Sequence, residues 1–234
     1  MEQLSAEVLR EVLLASPRPL QSIKAELLLL DGLYLLHYRD GDADQYKFLS
    51  PDSVRAAFEH EVIDSGWINC KIQRWGSSTK GNWVVLFVEP QKHRLDLGEL
   101  GIVTTALPGL VFFGLGKSYW VWAVNSKKFN SQDITYHAPL PNVYEKNGAI
   151  CWGSVHPPDC TTQTINTAWQ MFIESTFNSH LCQGKSVKEK SDVRKMLIKG
   201  AAKYPVKDLV GYSLVYRYNS TLTIDELVTT LLKQ

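Results

Sequence analysis

The chain has 234 residues, 44% of them apolar or aromatic and 21% charged, enough for one large or two small globular domains and too apolar for a disordered chain. Twenty-five Lys and Arg against 24 Asp and Glu leave a formal net charge of +1, so no overall field favours nucleic acid or an anionic membrane surface. The four cysteines, Cys70, Cys151, Cys160 and Cys182, include no CxxC pair, which argues against zinc-ligand spacing and fits a cytoplasmic protein with reduced thiols.

The first segment, MEQLSAEVLREVLLASPRPL, scatters Glu2, Glu7, Arg10 and Glu11 among its apolar residues, unlike a secretory signal. Val8, Leu9, Val12 and Leu13 share one stripe behind Ser5, which predicts a short amphipathic helix over 5–15. AELLLLDGLYLLHYRD sets two apolar runs around Asp31-Gly32, a pair suited to the positive φ angles of a two-residue hairpin turn. Ser50-Pro51 then offers a cap and a first-turn proline to a helix in DSVRAAFEHEV, with Val54, Ala57 and Phe58 on its buried face.

From about 66 to 124 the pattern becomes strand-like. WINCKIQRW, NWVVLFVEP, GIVTTALPGLVFFGLG and SYWVWAVN are rich in β-branched and aromatic residues, and Gly, Ser, Lys and Pro separate them, predicting an antiparallel meander. Pro108 and the glycines around it rule out a membrane-spanning helix in the longest apolar stretch. Residues 125–164 are dense in Pro, Asn, Gly and Asp, the composition of a long shaped loop, and such loops usually carry function. Helical spacing returns in TINTAWQMFIESTFNSHL, where Ile165, Trp169, Phe172, Ile173 and Phe177 fall on one side. A further helix is expected over about 186–203, DLVGYSLVYRYN reads as a strand or short helix, and Thr223 with Glu226 forms a capping box for a last helix in TIDELVTTLLKQ. Strands followed by helices, without βαβ alternation, indicate an α+β fold.

The chemistry concentrates in YHAPLPNVYEKNGAICWG, residues 136–153. Pro139 and Pro141 fix their own φ angles and bias Ala138 and Leu140 towards extended backbone, so the chain enters Asn142 stiffly. Asn147-Gly148 can turn the chain back, and Ala149-Ile150 lead into Cys151. A cysteine beside a carboxamide suits acyl transfer: the thiolate carries the acyl group and the amide N–H stabilises the oxyanion. The alternative is a buried cysteine serving as a small apolar residue between Ile150 and Trp152. His156 and Asp159 lie just downstream, either as a general base or as loop residues. Cys160 is either a bystander or a resolving thiol for an oxidised Cys151.

LPNVYEKNGAICWG resembles the active-site segment of ubiquitin-conjugating enzymes (E2), where a His-Pro-Asn triplet leads through a Gly turn to an Ile-Cys or Val-Cys position. TYHAPLPNVY followed by GAICWGS is similar more closely to the prokaryotic E2-like family that includes the PRTRC system protein B, with a motif-level match over roughly 108–180. The resemblance implies a UBC-like core over 66–185, with an N-terminal helix, hairpin and helix in 1–65, either an extension or part of the same domain, and a C-terminal helical extension in 186–234. It implies that Cys151 takes a ubiquitin-like modifier as a thioester from an E1-like (ThiF-type) activating protein and passes it to an acceptor amine, with a JAB-type metalloprotease as a further partner. It implies no metal or organic cofactor on this chain, ATP being consumed at the activating enzyme. Asn142 would support the loop or stabilise the oxyanion. Leu140 stands where the triplet's histidine belongs, Asn142 precedes Cys151 by nine positions, about one more than in eukaryotic members, and His137 is a candidate to replace the missing loop contacts. Trp152 would cover the thioester, receive the modifier's tail, or pack in the core. The rival readings are a non-catalytic UBC-like module that binds a ubiquitin-like protein, and a cysteine hydrolase pairing Cys151 with His156 or His180.

Overall fold

The computed structural model describes residues 25–30, 33–41, 43–58, 63–68, 70–200, 204–212 and 221–233. The expected helix over 5–15, the Asp31-Gly32 turn and most of DLVGYSLVYRYN lie outside these residues. The contacts divide the chain into two units, Met1–His60 and Glu61–Gln234.

In the first unit, β1 (Ala25–Leu30), β2 (Leu33–Asp40) and β3 (Ala43–Leu49) form an antiparallel sheet in that order. Leu30 of β1 faces Leu33 of β2. Helix α1 (Pro51–Phe58) starts where Ser50 Oγ accepts the Ser53 N–H at 3.1 Å, as the capping pattern predicts. Its expected buried face is corrected at Ala57, which is exposed while Val54 is half-buried; a stripe of Val and Ala has little apolar area to bury. The Phe58 side chain lies outside what is described.

The second unit is built on β4 (Ile63–Asp64), β5 (Ile72–Ser78), β6 (Gly81–Val88), β7 (Gln91–Asp96), β8 (Ile102–Leu107), β9 (Gly109–Leu115), β10 (Ser118–Val124) and β11 (Tyr136–His137). Six of these make one antiparallel sheet in the order β11-β10-β9-β6-β5-β4, and β7 pairs with β8 apart from it. In WINCKIQRW the strand β5 begins at Ile72 and not at Trp67, because Ile68 N–H donates to the Gln73 carbonyl at 2.7 Å and folds the chain back just before it. Strand β7, QKHRLD, is polar except for the buried Leu95 and pairs with β8. Val88 faces Leu110 and Gln91 faces Leu107, so β6–β7 and β8–β9 are one long hairpin. Pro90 and Pro108 fall opposite each other in it, neither has an N–H to give, and the ladder breaks there.

The central strands are apolar on both faces because both are covered. Val84, Leu86, Leu110, Phe112, Val121 and Ala123 point to the side packed by helix α2 (Ile165–Ile173) through Ile165, Ala168, Trp169, Phe172 and Ile173. Trp83, Val85, Val111, Phe113, Trp122 and Val124 point to the other side, covered by helix α4 (Ile224–Lys233) through Ile224, Leu227, Val228 and Leu231. The period-two alternation thus sorts each strand between two cores, giving helix, sheet and helix layers in a mixed α+β unit of mostly antiparallel strands. No helix among the described residues is long and apolar enough to cross a membrane.

At the start of α4 the capping box is reciprocal: Glu226 N–H donates to Thr223 Oγ1 at 3.3 Å and Thr223 N–H to Glu226 Oε2 at 3.0 Å. The helix expected over 186–203 is corrected to α3 (Arg194–Ile198), preceded by turns. Ser186 Oγ accepts the N–H groups of Lys188 and Glu189, each at 3.2 Å, and Asp192 Oδ1 accepts that of Arg194 at 3.0 Å. These side chains offer the backbone an alternative to helical pairing.

Candidate active site

Residues 142–151 form a tight hairpin. Cys151 N–H donates to the Asn142 carbonyl at 2.7 Å, Val143 bridges Ile150, and Tyr144 N–H donates to the Ala149 carbonyl at 2.8 Å. Asn142 therefore lies directly across from Cys151, and the nine-position spacing is what this pairing requires. Alternation sends Val143 and Ile150, 2% and 7% exposed, into the α2-side core and leaves Asn142, Tyr144 and Cys151 to the opposite face. Asn142 holds φ +59°, a left-handed conformation that asparagine tolerates better than most residues.

Gly148 closes the turn at φ +69°, its N–H donating to the Tyr144 carbonyl at 2.8 Å. Residues 148–150 then add to the edge of β10: Val121 N–H donates to the Gly148 carbonyl at 3.0 Å, and Ile150 N–H to the Tyr119 carbonyl at 2.8 Å. Cys151 thus leaves a strand anchored on the central sheet, the kind of rigid support that a reacting atom needs.

A second stretch, 176–180, backs the hairpin. Asn142 Nδ2 donates to the Thr176 carbonyl at 3.0 Å, and Asn142 N–H to the His180 carbonyl at 3.2 Å. Between this stretch, the end of α2 and the chain leaving Cys151 lies a cleft of about 360 Å³, lined by Asn142, Cys151, Trp152, Met171, Ser175 and His180 among others. Cys151 is half-buried. The Trp152 ring meets Tyr119 and Phe172 edge-on, with centroids 5.6 and 6.1 Å away, and forms an apolar wall. The Tyr144 hydroxyl lies near the Cys151 sulfur, a neighbour that raises the phenol above its ordinary range.

Of the residues singled out from the sequence, Cys151, Asn142 and Trp152 come together in this cleft. His180, named in the hydrolase reading, lines the same cleft, whereas His137, His156, Asp159 and Cys160 lie outside its lining. His137 sits in β11 opposite Trp122, with its ring 5.3 Å from that of Tyr212. Burial and the nearby Lys185 ammonium lower its pKa to about 4. His156 and Asp159 are exposed outside the cleft lining, and the Asp159 carbonyl accepts the Thr164 hydroxyl at 2.6 Å. Cys160 is buried, its thiol pushed up to about 12 by loss of solvation. Two further residues stand near Cys151 without a transfer role expected from the sequence, Tyr144 close to its sulfur and His180 in the cleft lining. Tyr144 was detectable in principle, two positions after Asn142 on an extended chain; His180 depends on a contact made across the fold.

These elements amount to a thiol at the end of a fixed strand, a carboxamide opposite it, a phenol near its sulfur and an imidazole in the same cleft. No curated protein and no solved structure matches the chain. The model of prokaryotic E2 family D matches residues 45–212, most of both the sheet and the cysteine loop, and the chain belongs to that E2-like family.

Proposed function

We propose that this protein is an E2-like conjugating enzyme that accepts a ubiquitin-like modifier on Cys151. The observation that carries the reading is the pairing of Asn142 with Cys151 across the hairpin, beside an open cleft. The Cys151 thiolate attacks the modifier's thioester carbonyl on an E1-like (ThiF-type) protein; a new C–S bond forms, and the E1 sulfur leaves as thiolate. An acceptor amine then attacks the Cys151 thioester, the C–N bond forms, the C–S bond breaks, and the amine proton leaves to a base.

Asn142 spends one amide N–H on Thr176 and offers its second to the oxyanion. His180 is the titratable side chain in the cleft lining besides Cys151, and it takes the amine proton. Tyr144 donates to the thiolate before attack and after release. Residues 66–185 make the UBC-like core in this reading, 186–234 add the helix that covers its second face, and the 1–65 segment is an extension. We also propose partners from the same conjugation system, including a JAB-type metalloprotease that removes the modifier; membership of the E2-like family supports partners of that general kind.

The test mixes the protein with an E1-like protein and modifier from the same system and ATP, followed by a non-reducing gel. A thiol-sensitive adduct that persists in Cys160→Ala and vanishes in Cys151→Ala is expected. With an E1 that charges itself, no adduct on the wild-type chain would overturn the reading and leave a non-catalytic binding module.

A further inference from the structure

Lys185 is 1% exposed, and a lysine rarely stays so deep without a specific task. Its Nζ donates to the carbonyl of Leu140, two residues before Asn142. The preceding Gly184 lies against the Glu145 carboxylate, so closely that a Cβ there would clash with it. Just upstream, Thr176 and His180 hold the side chain and the N–H of Asn142. The 176–185 stretch therefore grips the cysteine hairpin at positions 140, 142 and 145, and Lys185 makes the bond nearest its proline-stiffened entry.

Packing alone does not account for a lysine here. Burial lowers its pKa to about 7, against which the charges of Cys182 and Glu145 pull upward; His137, whose own pKa this ammonium depresses, also faces it. A methionine of similar length would avoid that desolvation but would leave the buried Leu140 carbonyl without this donor.

We propose that Lys185 is a positioning residue for Cys151, its donation to the Leu140 carbonyl fixing the approach to Asn142 and hence the carbonyl that holds the Cys151 N–H. As a role in catalysis this rests on the conjugating reading above; as a statement about the loop it does not. In Lys185→Met the ammonium's desolvation is relieved while the Leu140 carbonyl loses its donor, so the loop should loosen locally and the α4 side of the fold should keep its protection.

The experiment is amide hydrogen exchange by NMR on the full chain, together with the thioester assay. In Lys185→Met the Asn142 and Cys151 amides should exchange at least about tenfold faster, with Leu227 and Val228 in α4 unchanged. Transfer from Cys151 should slow with KM for the charged E1 unaltered. Lys185→Arg keeps a donor of sufficient reach and should retain the protection. Wild-type exchange at Cys151 in Lys185→Met would overturn the proposal, as would loosening that appears equally in α4. Should the methionine variant not fold, Lys185→Arg decides: a loosened Cys151 amide with α4 intact refutes a role based on donation. If wild type forms no thioester, the conjugating reading fails while the exchange result still tests the loop.

Discussion

Two glycines flank the proposed nucleophile in the same left-handed conformation, and alanine at each should cost different amounts. Gly148 has φ +69° and Gly153 φ +58°, so either alanine variant bears the strain of an L-residue in that region, about 1–2 kcal/mol. Space separates them. A Cβ on Gly153 meets nothing within 4 Å, whereas one on Gly148 would run into the Trp122 indole, 2.8 Å from its Cε2. Trp122 is fully buried and has no room to yield, so overpacking adds about 1–3 kcal/mol. Gly148→Ala should therefore cost about 2–5 kcal/mol and Gly153→Ala about 1–2 kcal/mol. Urea unfolding with matched m-values measures both. Because the Gly148 carbonyl and the Ile150 N–H bond the β10 edge, Gly148→Ala should also change the rate at which iodoacetamide alkylates Cys151. Equal destabilisation by the two variants would refute the argument that the Trp122 indole leaves no room for a Cβ at Gly148.

Other outcomes follow from single contacts. The His137 imidazole has its pKa lowered from 6.5 to about 4, so between these values the unfolded chain binds more protons than the folded one. Stability should fall by about 3 kcal/mol as pH drops from 6.5 to 4, and His137→Phe should flatten that part of a pH series of unfolding midpoints. Tyr144→Phe removes the hydroxyl near the Cys151 sulfur; alkylation of Cys151 at pH 7 should slow by at most roughly threefold, modest because the phenol is exposed. Thr223→Ala removes half of the α4 capping box and should cost about 1 kcal/mol in thermal or urea unfolding.

The readable parts of the sequence were those in which burial writes its own pattern. Strands β6, β9 and β10 are apolar throughout because both faces of the sheet are covered, and the Thr223–Glu226 pair announces α4. β7 was not readable, since its polar residues pair only because β6 and β9 already fix the register through Pro90 and Pro108. The 186–203 segment misled for the opposite reason: its spacing is helical, but Ser186 and Asp192 divert the backbone into turns. At the site, LPNVYEKNGAICWG marks Asn142 and Cys151, and the hairpin explains their spacing. The contacts of Thr176, His180 and Lys185 with that hairpin come from remote chain segments and leave no local signature.

The remoteness of those contacts bears on how the protein is made. Thr176 holds Asn142 across 34 positions, and its hydroxyl is in turn held by the Asp96 carboxylate, 2.8 Å away and 80 positions earlier. Loops of that length close only after local hairpins and helices have formed. The hairpin of 142–151 can zip early, but its backing arrives late. On a nascent chain, Cys151 would spend the interval before 176–185 docks as an ordinary exposed thiol, open to oxidants that the finished cleft restrains. The last step of folding and the first step of chemistry then concern the same atom.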